Sequence, residues 1–361
     1  MVQNHGFLED SLSLAYRHLL NFSSQKTYAK LTKLISQQPV TPTTLIVVAT
    51  HFSLAHQISH CKTKLERQFH LKLVLAIVVT DDSPQHIWAV PQADYIFVPS
   101  QTTKLEIERY LSTITTHPPK VLISPYPLSP ILSRDLSDVE LESRKRQLDS
   151  QSSELTQILI PVSGAAVQLT YLRELITVLL KNPRLSFTVV SRQSAYCDPF
   201  LAWCKTHPQI KILSHKQDDQ VVKLYENAYT DTVFSLEVTK PSEQSFKALL
   251  PPNTRGGLIL LFSPPVGRQE VDNLTFLRRH NLLSNPHTSP HQWRAISLPK
   301  NGTEAGKKII AMLKTDVFRD MNNFTGFLPH PELKPNGAEL FWLTLKSLFL
   351  PDNLSPTAPS R

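Results

Sequence analysis

Short, uninterrupted apolar runs alternating with helix-periodic segments constrain this chain more than any other feature. Leu45-Ile-Val-Val-Ala49, Leu71 to Thr80 (LKLVLAIVVT), Tyr95-Ile-Phe-Val98 and Val121-Leu-Ile-Ser124 are nearly continuous in apolar residues. A strand with one wet face alternates polar and apolar positions, whereas a strand covered on both faces does not. Residues 52–68 and 101–113, which separate these runs, carry apolar residues at helical spacing. A longer helix is predicted over 7–37, from Leu12, Leu14, Ala15, Leu19, Leu20, Tyr28, Leu31 and Leu34. Strand–helix–strand order makes the helix a crossover, and crossovers join parallel strands.

The pattern then stops and restarts. Residues 133–157 are polar and charged and read as a linker or surface helix. Beyond them come predicted strands Gln157 to Ser163, Leu185 to Ser191, Ile210 to Leu213, Thr232 to Val238 and Gly257 to Ser263. Helices are predicted at 167–181, 197–206, 218–228, 242–250, 268–280 and 303–321, with a last amphipathic segment from Gly337 to Leu350. The expected organisation is a first α/β domain over 1–145, a second over 146–330, and a tail over 331–361. A chain of 361 residues is long enough for two such domains.

Composition removes several classes of function. No run approaches the ~18 apolar residues of a membrane span. The N-terminus has acids where a secretory signal has basic residues. Cys61, Cys197 and Cys204 are too few and too scattered for a disulfide framework or a zinc cluster, so a reducing cytoplasmic setting is expected. The net charge of +8 suits a nucleotide, an anionic membrane surface or simply a solvated basic face. Trp88, Trp203, Trp293 and Trp342 are scattered rather than interleaved with a basic stripe, so no nucleic-acid partner is expected. Helix 7–37, with Arg17, Lys26, Lys30, Lys33, Phe22 and Tyr28, fits either a peripheral membrane contact or packing on its own sheet. Nine glycines in 361 residues are about a third of the usual ~7%, which leaves little for glycine-rich phosphate loops.

Four strand-to-helix junctions carry chemistry. Thr80-Asp81-Asp82-Ser83-Pro84-Gln85-His86-Ile87-Trp88 follows a buried strand. Asp81, Asp82 and His86 there form either an acid/base group or a helix cap with an incidental histidine. Ser163-Gly164-Ala165-Ala166 opens a helix whose free N–H groups attract phosphate, or is a plain turn. Thr239-Lys240-Pro241-Ser242-Glu243 places a lysine by a helix start, but Glu243 prefers that positive end itself. Gly267-Arg268-Gln269-Glu270, with Asn273, offers side chains able to grip sugar hydroxyls, or an ordinary acidic first turn.

Taken together and in order, these segments resemble the monogalactosyl- and diglucosyl-diacylglycerol synthase family. Thr80-Asp81, His86 and Trp88 resemble its T-D-x-x-x-H-x-x-W. Asp94-Tyr95, Val98 and Ser100 follow, then Ser124-Pro125-Tyr126-Pro127. Ser163-Gly164-Ala165-Ala166 is similar to S-G-G-x-G, and Val189-Val190-Ser191-Arg192 takes the place of V-C-G-x-N. Thr239-Lys240-Pro241 resembles T-K-P-G-G, and Gly267-Arg268-Gln269-Glu270 with Asn273 resembles P-G-Q-E-x-x-N. The likeness spans roughly residues 10–285. Its second half is shared with the lipid-linked N-acetylglucosaminyltransferase of peptidoglycan synthesis.

The resemblance implies a GT-B fold, two Rossmann-like domains facing across a cleft, with the tail helix returning to the first. It implies transfer of a hexose from a nucleotide sugar, UDP-linked, to a membrane lipid such as diacylglycerol, with no metal and no cofactor beyond the co-substrate. Ser163, Gly164, Ala165, Arg192, Lys240 and Ser242 would meet the nucleotide, Gln269, Glu270 and Asn273 the sugar, and Asp81 or His86 the acceptor. The departures imply the alternative, a catalytically inactive homologue acting as a binding or regulatory subunit. Nothing matches the family's opening strand and G-G-G-H loop, so the first domain is expected to lack its first βα unit. Ser242 and Glu243 replace glycines, Ala165 replaces another, and the ribose-binding glutamate falls at Ala248.

Overall fold

The computed structural model describes residues 24–162, 164 and 166–349. Of the predicted first helix, residues 24–36 are helical (α1), and 7–23 lie outside the described residues. The chain divides into two compact units, Met1–Tyr126 and Pro127–Arg361.

The first unit is a four-stranded, wholly parallel sheet of β1 (Thr44–Ala49), β2 (Lys72–Val78), β3 (Tyr95–Val98) and β4 (Lys120–Ile123), in that spatial order. Helices α2 (Phe52–Phe69) and α3 (Gln101–Ile114) are its crossovers. Every residue of β2 after Lys72 is buried, which is why its sequence shows no alternation. Leu73, Leu75 and Ile77 join Ala55, Ile58 and Leu65 of α2 and Ile107 and Leu111 of α3 in one core. The α2 chain is stopped by His70 at φ 50°, whose N–H caps Glu66 O.

The second unit is a six-stranded parallel sheet with the order β10-β9-β8-β5-β6-β7. Its strands are β5 (Thr156–Pro161), β6 (Leu185–Arg192), β7 (Ile210–His215), β8 (Leu236–Thr239), β9 (Ile259–Phe262) and β10 (Ala295–Ser297). Renumbered within the unit, that order is 3-2-1-4-5-6, the doubly wound dinucleotide-binding order. Helices α4 (Asp138–Leu148), α5 (Leu169–Leu179), α6 (Asp198–Lys205), α7 (Asp218–Asp231), α8 (Arg268–Arg279), α9 (Gly302–Leu313), α10 (Val317–Asn322) and α11 (Gly337–Phe349) complete it.

Four features depart from the sequence reading. The boundary lies at 126/127 and not at 145. The reason is Arg144 of α4, which is fully buried and donates to the carbonyls of Phe234, Pro252, Thr254 and Arg255 at 2.7–3.0 Å. Gln147 adds a bond to Val233 O at 3.0 Å. Two inward-facing polar residues thus fasten to the second unit a helix whose charge resembled a linker. Second, the helix expected over 242–250 is a 3-10 turn, Glu243–Leu249. Third, the helix expected over 303–321 is two, broken between Leu313 and Val317. Fourth, β10 was not anticipated, because three residues are too few to show a period. Among the described residues no helix is long and apolar enough to cross a membrane.

Candidate functional site

In a sheet of this order, ligands bind beyond the carboxyl ends of the strands where the winding reverses. Here that place lies between β5 and β8, the adjacent strands from which the chain winds in opposite directions. A pocket of about 240 Å³ occupies it. Pro161, Val162 and Gly164 line it from β5, Val190 and Arg192 from β6, and Thr239, Lys240, Ser242, Glu243 and Gln244 from β8. Asp218, Val221, Val222 and Tyr225 of α7 close the side.

Gly164, Arg192, Lys240 and Ser242 all line this one pocket. Ser163 and Ala165 lie outside the described residues. A Cβ placed on Gly164 would meet nothing within 4 Å, so the loop there faces open space. Ala166 takes φ 50° and Gln168 φ 66°, left-handed conformations costly for residues with a Cβ. Gln168 fixes this loop by donating to Pro264 O at 2.6 Å and accepting from Ser263 Oγ at 2.7 Å. Ser242 is 5% exposed, and its hydroxyl has no hydrogen-bond partner. A buried hydroxyl in that state costs about 1–3 kcal/mol, and here it belongs to a residue lining the pocket.

The two cations of the pocket already have partners. Arg192 lies 3.5 Å from Asp218 and donates to Lys216 O at 3.2 Å. Lys240 Nζ lies 2.8 Å from Glu270 Oε1. Glu270 is buried, and its other oxygen accepts from the backbone N–H of Val266. Asn273 is fully buried and donates to Pro241 O at 3.2 Å. Gln269, Glu270 and Asn273 do not line the pocket. Glu270 and Asn273 instead tie the start of α8 to the loop after β8, and so set where Lys240 stands.

Beneath the pocket lies a cluster that sequence reasoning missed. Glu237 of β8 and Lys247 of the 3-10 turn form a completely buried ion pair. The Tyr229 hydroxyl donates to Glu237, Tyr225 lies 3.3 Å from the same carboxylate, and Lys247 Nζ reaches Tyr225 Oη at 2.5 Å. Burial, reinforced by the Glu237 charge, pushes both phenols well above their ordinary value. Burial lowers the Lys247 ammonium, against the opposing pull of Glu237. Tyr225 bridges this cluster to the pocket by donating to Gln244 Oε1 at 3.1 Å. The signal in the sequence was one charge inside each of two apolar stretches, Leu236-Glu237-Val238 and Phe246-Lys247-Ala248-Leu249. Ala248 itself is fully buried.

In the first unit, Asp82 is buried at the start of α3 and accepts from Ser100 Oγ and, at 2.8 Å, from Thr103 Oγ1. That arrangement is a helix-start network. Asp81 beside it is half-buried. His86 stacks on Tyr110 with centroids 3.8 Å apart, and its Nε2 lies 3.7 Å from Glu106. The ring is thus held between the Tyr110 face and the Glu106 carboxylate.

Two Rossmann-like parallel sheets, the second wound 3-2-1-4-5-6 with its pocket at the switch point, define the GT-B class of fold. Among solved structures the chain is similar to S. aureus MnaA in its co-structure with UDP, with TM-score 0.55 and 10% identity, over 94% of this chain and 84% of that one. It is also similar to a Listeria monocytogenes protein described as a UDP-N-acetylglucosamine 2-epimerase, with TM-score 0.52 and 11% identity, over 91% and 80%. No protein-family model and no curated protein matches the sequence.

Proposed function

We propose that the second unit binds the nucleotide of a UDP-sugar in the β5–β8 pocket, and that the chain is a GT-B hexosyltransferase. The observation carrying this reading is the pocket's position. It opens at the switch point and is bordered by a loop with open space at Gly164, by two cations and by the unpartnered Ser242 hydroxyl. Backbone N–H groups and cations at such a place suit a diphosphate. The similarity to a fold seen with UDP supports the nucleotide.

The ordered motifs support a lipid acceptor such as diacylglycerol, met at a peripheral membrane surface on the cytoplasmic side. In the reaction the acceptor hydroxyl oxygen bonds to the anomeric carbon. The bond from that carbon to the phosphate oxygen breaks, and UDP departs with the electron pair. The hydroxyl proton passes to a base, for which Asp81 and His86 are the proposed residues. Ser163, Gly164, Ala165, Arg192, Lys240 and Ser242 are proposed around the nucleotide. Gln269, Glu270 and Asn273 are proposed to act toward the sugar, Glu270 and Asn273 through the loop they hold.

A second reading, a nucleotide-binding homologue without turnover, is favoured by the Lys240–Glu270 pair and by Ala248, which has no group for a ribose. Calorimetric titration with UDP and UDP-hexoses tests what the two readings share. Saturable binding is expected, and no heat at millimolar ligand refutes both. Radiolabelled hexose transfer to diacylglycerol vesicles then separates them.

A further inference from the structure

Among the described residues, one group outside the pocket brings together three potential metal ligands: His280, His330 and Glu332. We propose that they form a site for a zinc-type divalent cation, tying the proline-rich segment before α11 to the C-terminal end of α8.

His280 is the residue after Arg279, at the C-cap of α8. The carbonyl end of a helix carries partial negative charge and favours a cation. Glu332 is 4% exposed, and the His280 side chain 9%. His280 Nε2 and Glu332 Oε2 are 2.9 Å apart, and the ligand atoms of all three residues lie within 4.8 Å of one another. Metal–ligand bonds of about 2.0–2.2 Å in a tetrahedron place ligand atoms about 3.3 Å apart. The His280–Glu332 pair is already near that spacing, and His330 has at most about 1.5 Å to travel. His330 is exposed, and its ring contact to the Glu332 N–H is long, at 3.3 Å. Pro329 and Pro331 flank His330, and Pro335 follows at the end of the segment. Their fixed φ reduces the ordering that a metal would have to impose.

The donor set is two imidazoles and one carboxylate. That set matches zinc or cobalt better than calcium or magnesium, which prefer all-oxygen cages. Arg279 lies 3.6 Å from Glu332 and competes for the carboxylate, but it is one-third exposed and can turn to solvent.

The test uses the full chain, stripped with EDTA and titrated with Zn2+ by calorimetry and with Co2+ by visible absorption. One site per chain is expected at micromolar metal or tighter, with the intense d–d bands of tetrahedral Co2+. Affinity should fall by about tenfold or more in both His330→Ala and His280→Gln. His330 is exposed, so its removal leaves the fold intact. His280→Gln keeps a hydrogen bond to Glu332. Millimolar-only binding, octahedral Co2+ spectra, or unchanged affinity in both variants would overturn the site. UDP binding reads the other pocket and is independent of this outcome.

Discussion

The Lys240–Glu270 pair can be cut from either end, and the two cuts have different consequences. At 2.8 Å the Coulomb attraction is about 6 kcal/mol at an effective dielectric of 20 and about 1.5 kcal/mol in bulk water. Desolvation removes most of that gain. What remains depends on which partner is left behind. The Glu270 side chain is 7% exposed and that of Lys240 25%. Glu270→Gln leaves a lysine that can rehydrate, and the new amide oxygen still accepts from Val266 N–H. The expected cost is about 1 kcal/mol. Lys240→Met strands a buried carboxylate, with an expected cost of about 3 kcal/mol. Urea denaturation should rank the two in that order. The ligand assay carries the functional argument. If Glu270 restrains Lys240, then Glu270→Gln releases a cation to the pocket and tightens UDP about tenfold, which is ~1.4 kcal/mol. Lys240→Met weakens UDP by a similar factor. Weaker UDP binding in Glu270→Gln would refute the reasoning, because it would show Glu270 supporting the nucleotide rather than competing for its lysine. Titrating a UDP-hexose alongside UDP separates any direct contact of Glu270 with the sugar.

Three further outcomes follow from the same geometry. Ala166 sits at φ 50°, so Ala166→Gly should stabilise the chain by about 0.5–1 kcal/mol in urea denaturation, and a loss of stability would refute left-handed strain there. Tyr225 is held protonated above its ordinary value of 10.0 by burial and by Glu237. The unfolded chain loses that proton first as pH rises, so the native state is progressively destabilised above pH 10. Tyr225→Phe should make the alkaline slope less negative by up to about 1.4 kcal/mol per pH unit, and an unchanged slope counts against the burial. A Cβ on Gly306 would lie 2.7 Å from Val178 Cβ and 3.0 Å from Leu175 O. Gly306→Ala should therefore lower stability by about 1–3 kcal/mol, measured by thermal or urea unfolding, by forcing α9 away from α5.

Most elements were legible in the sequence, because a strand buried on both faces and the helix covering it each leave a local period. β2 and α2 are read from their own residues, and so is each strand-to-helix junction that lines the pocket. Length decides where such reading stops. β10 has three residues and no period, and the turn after β8 differs from an α-helix by a hydrogen-bonding step that composition does not encode. The doubling of the βα array and the positions of Gly164, Arg192, Lys240 and Ser242 were thus set by the sequence alone. The tertiary structure decided what those residues face. It drew Arg144 inward and moved the domain boundary. It joined Glu237 to Lys247 beneath the pocket, turned Glu270 and Asn273 into holders of a loop, and set His280 beside Glu332. Each of those is a pairing of charged or polar groups distant along the chain. Their partners are chosen by burial, where an uncompensated charge is costly, and not by any local spacing.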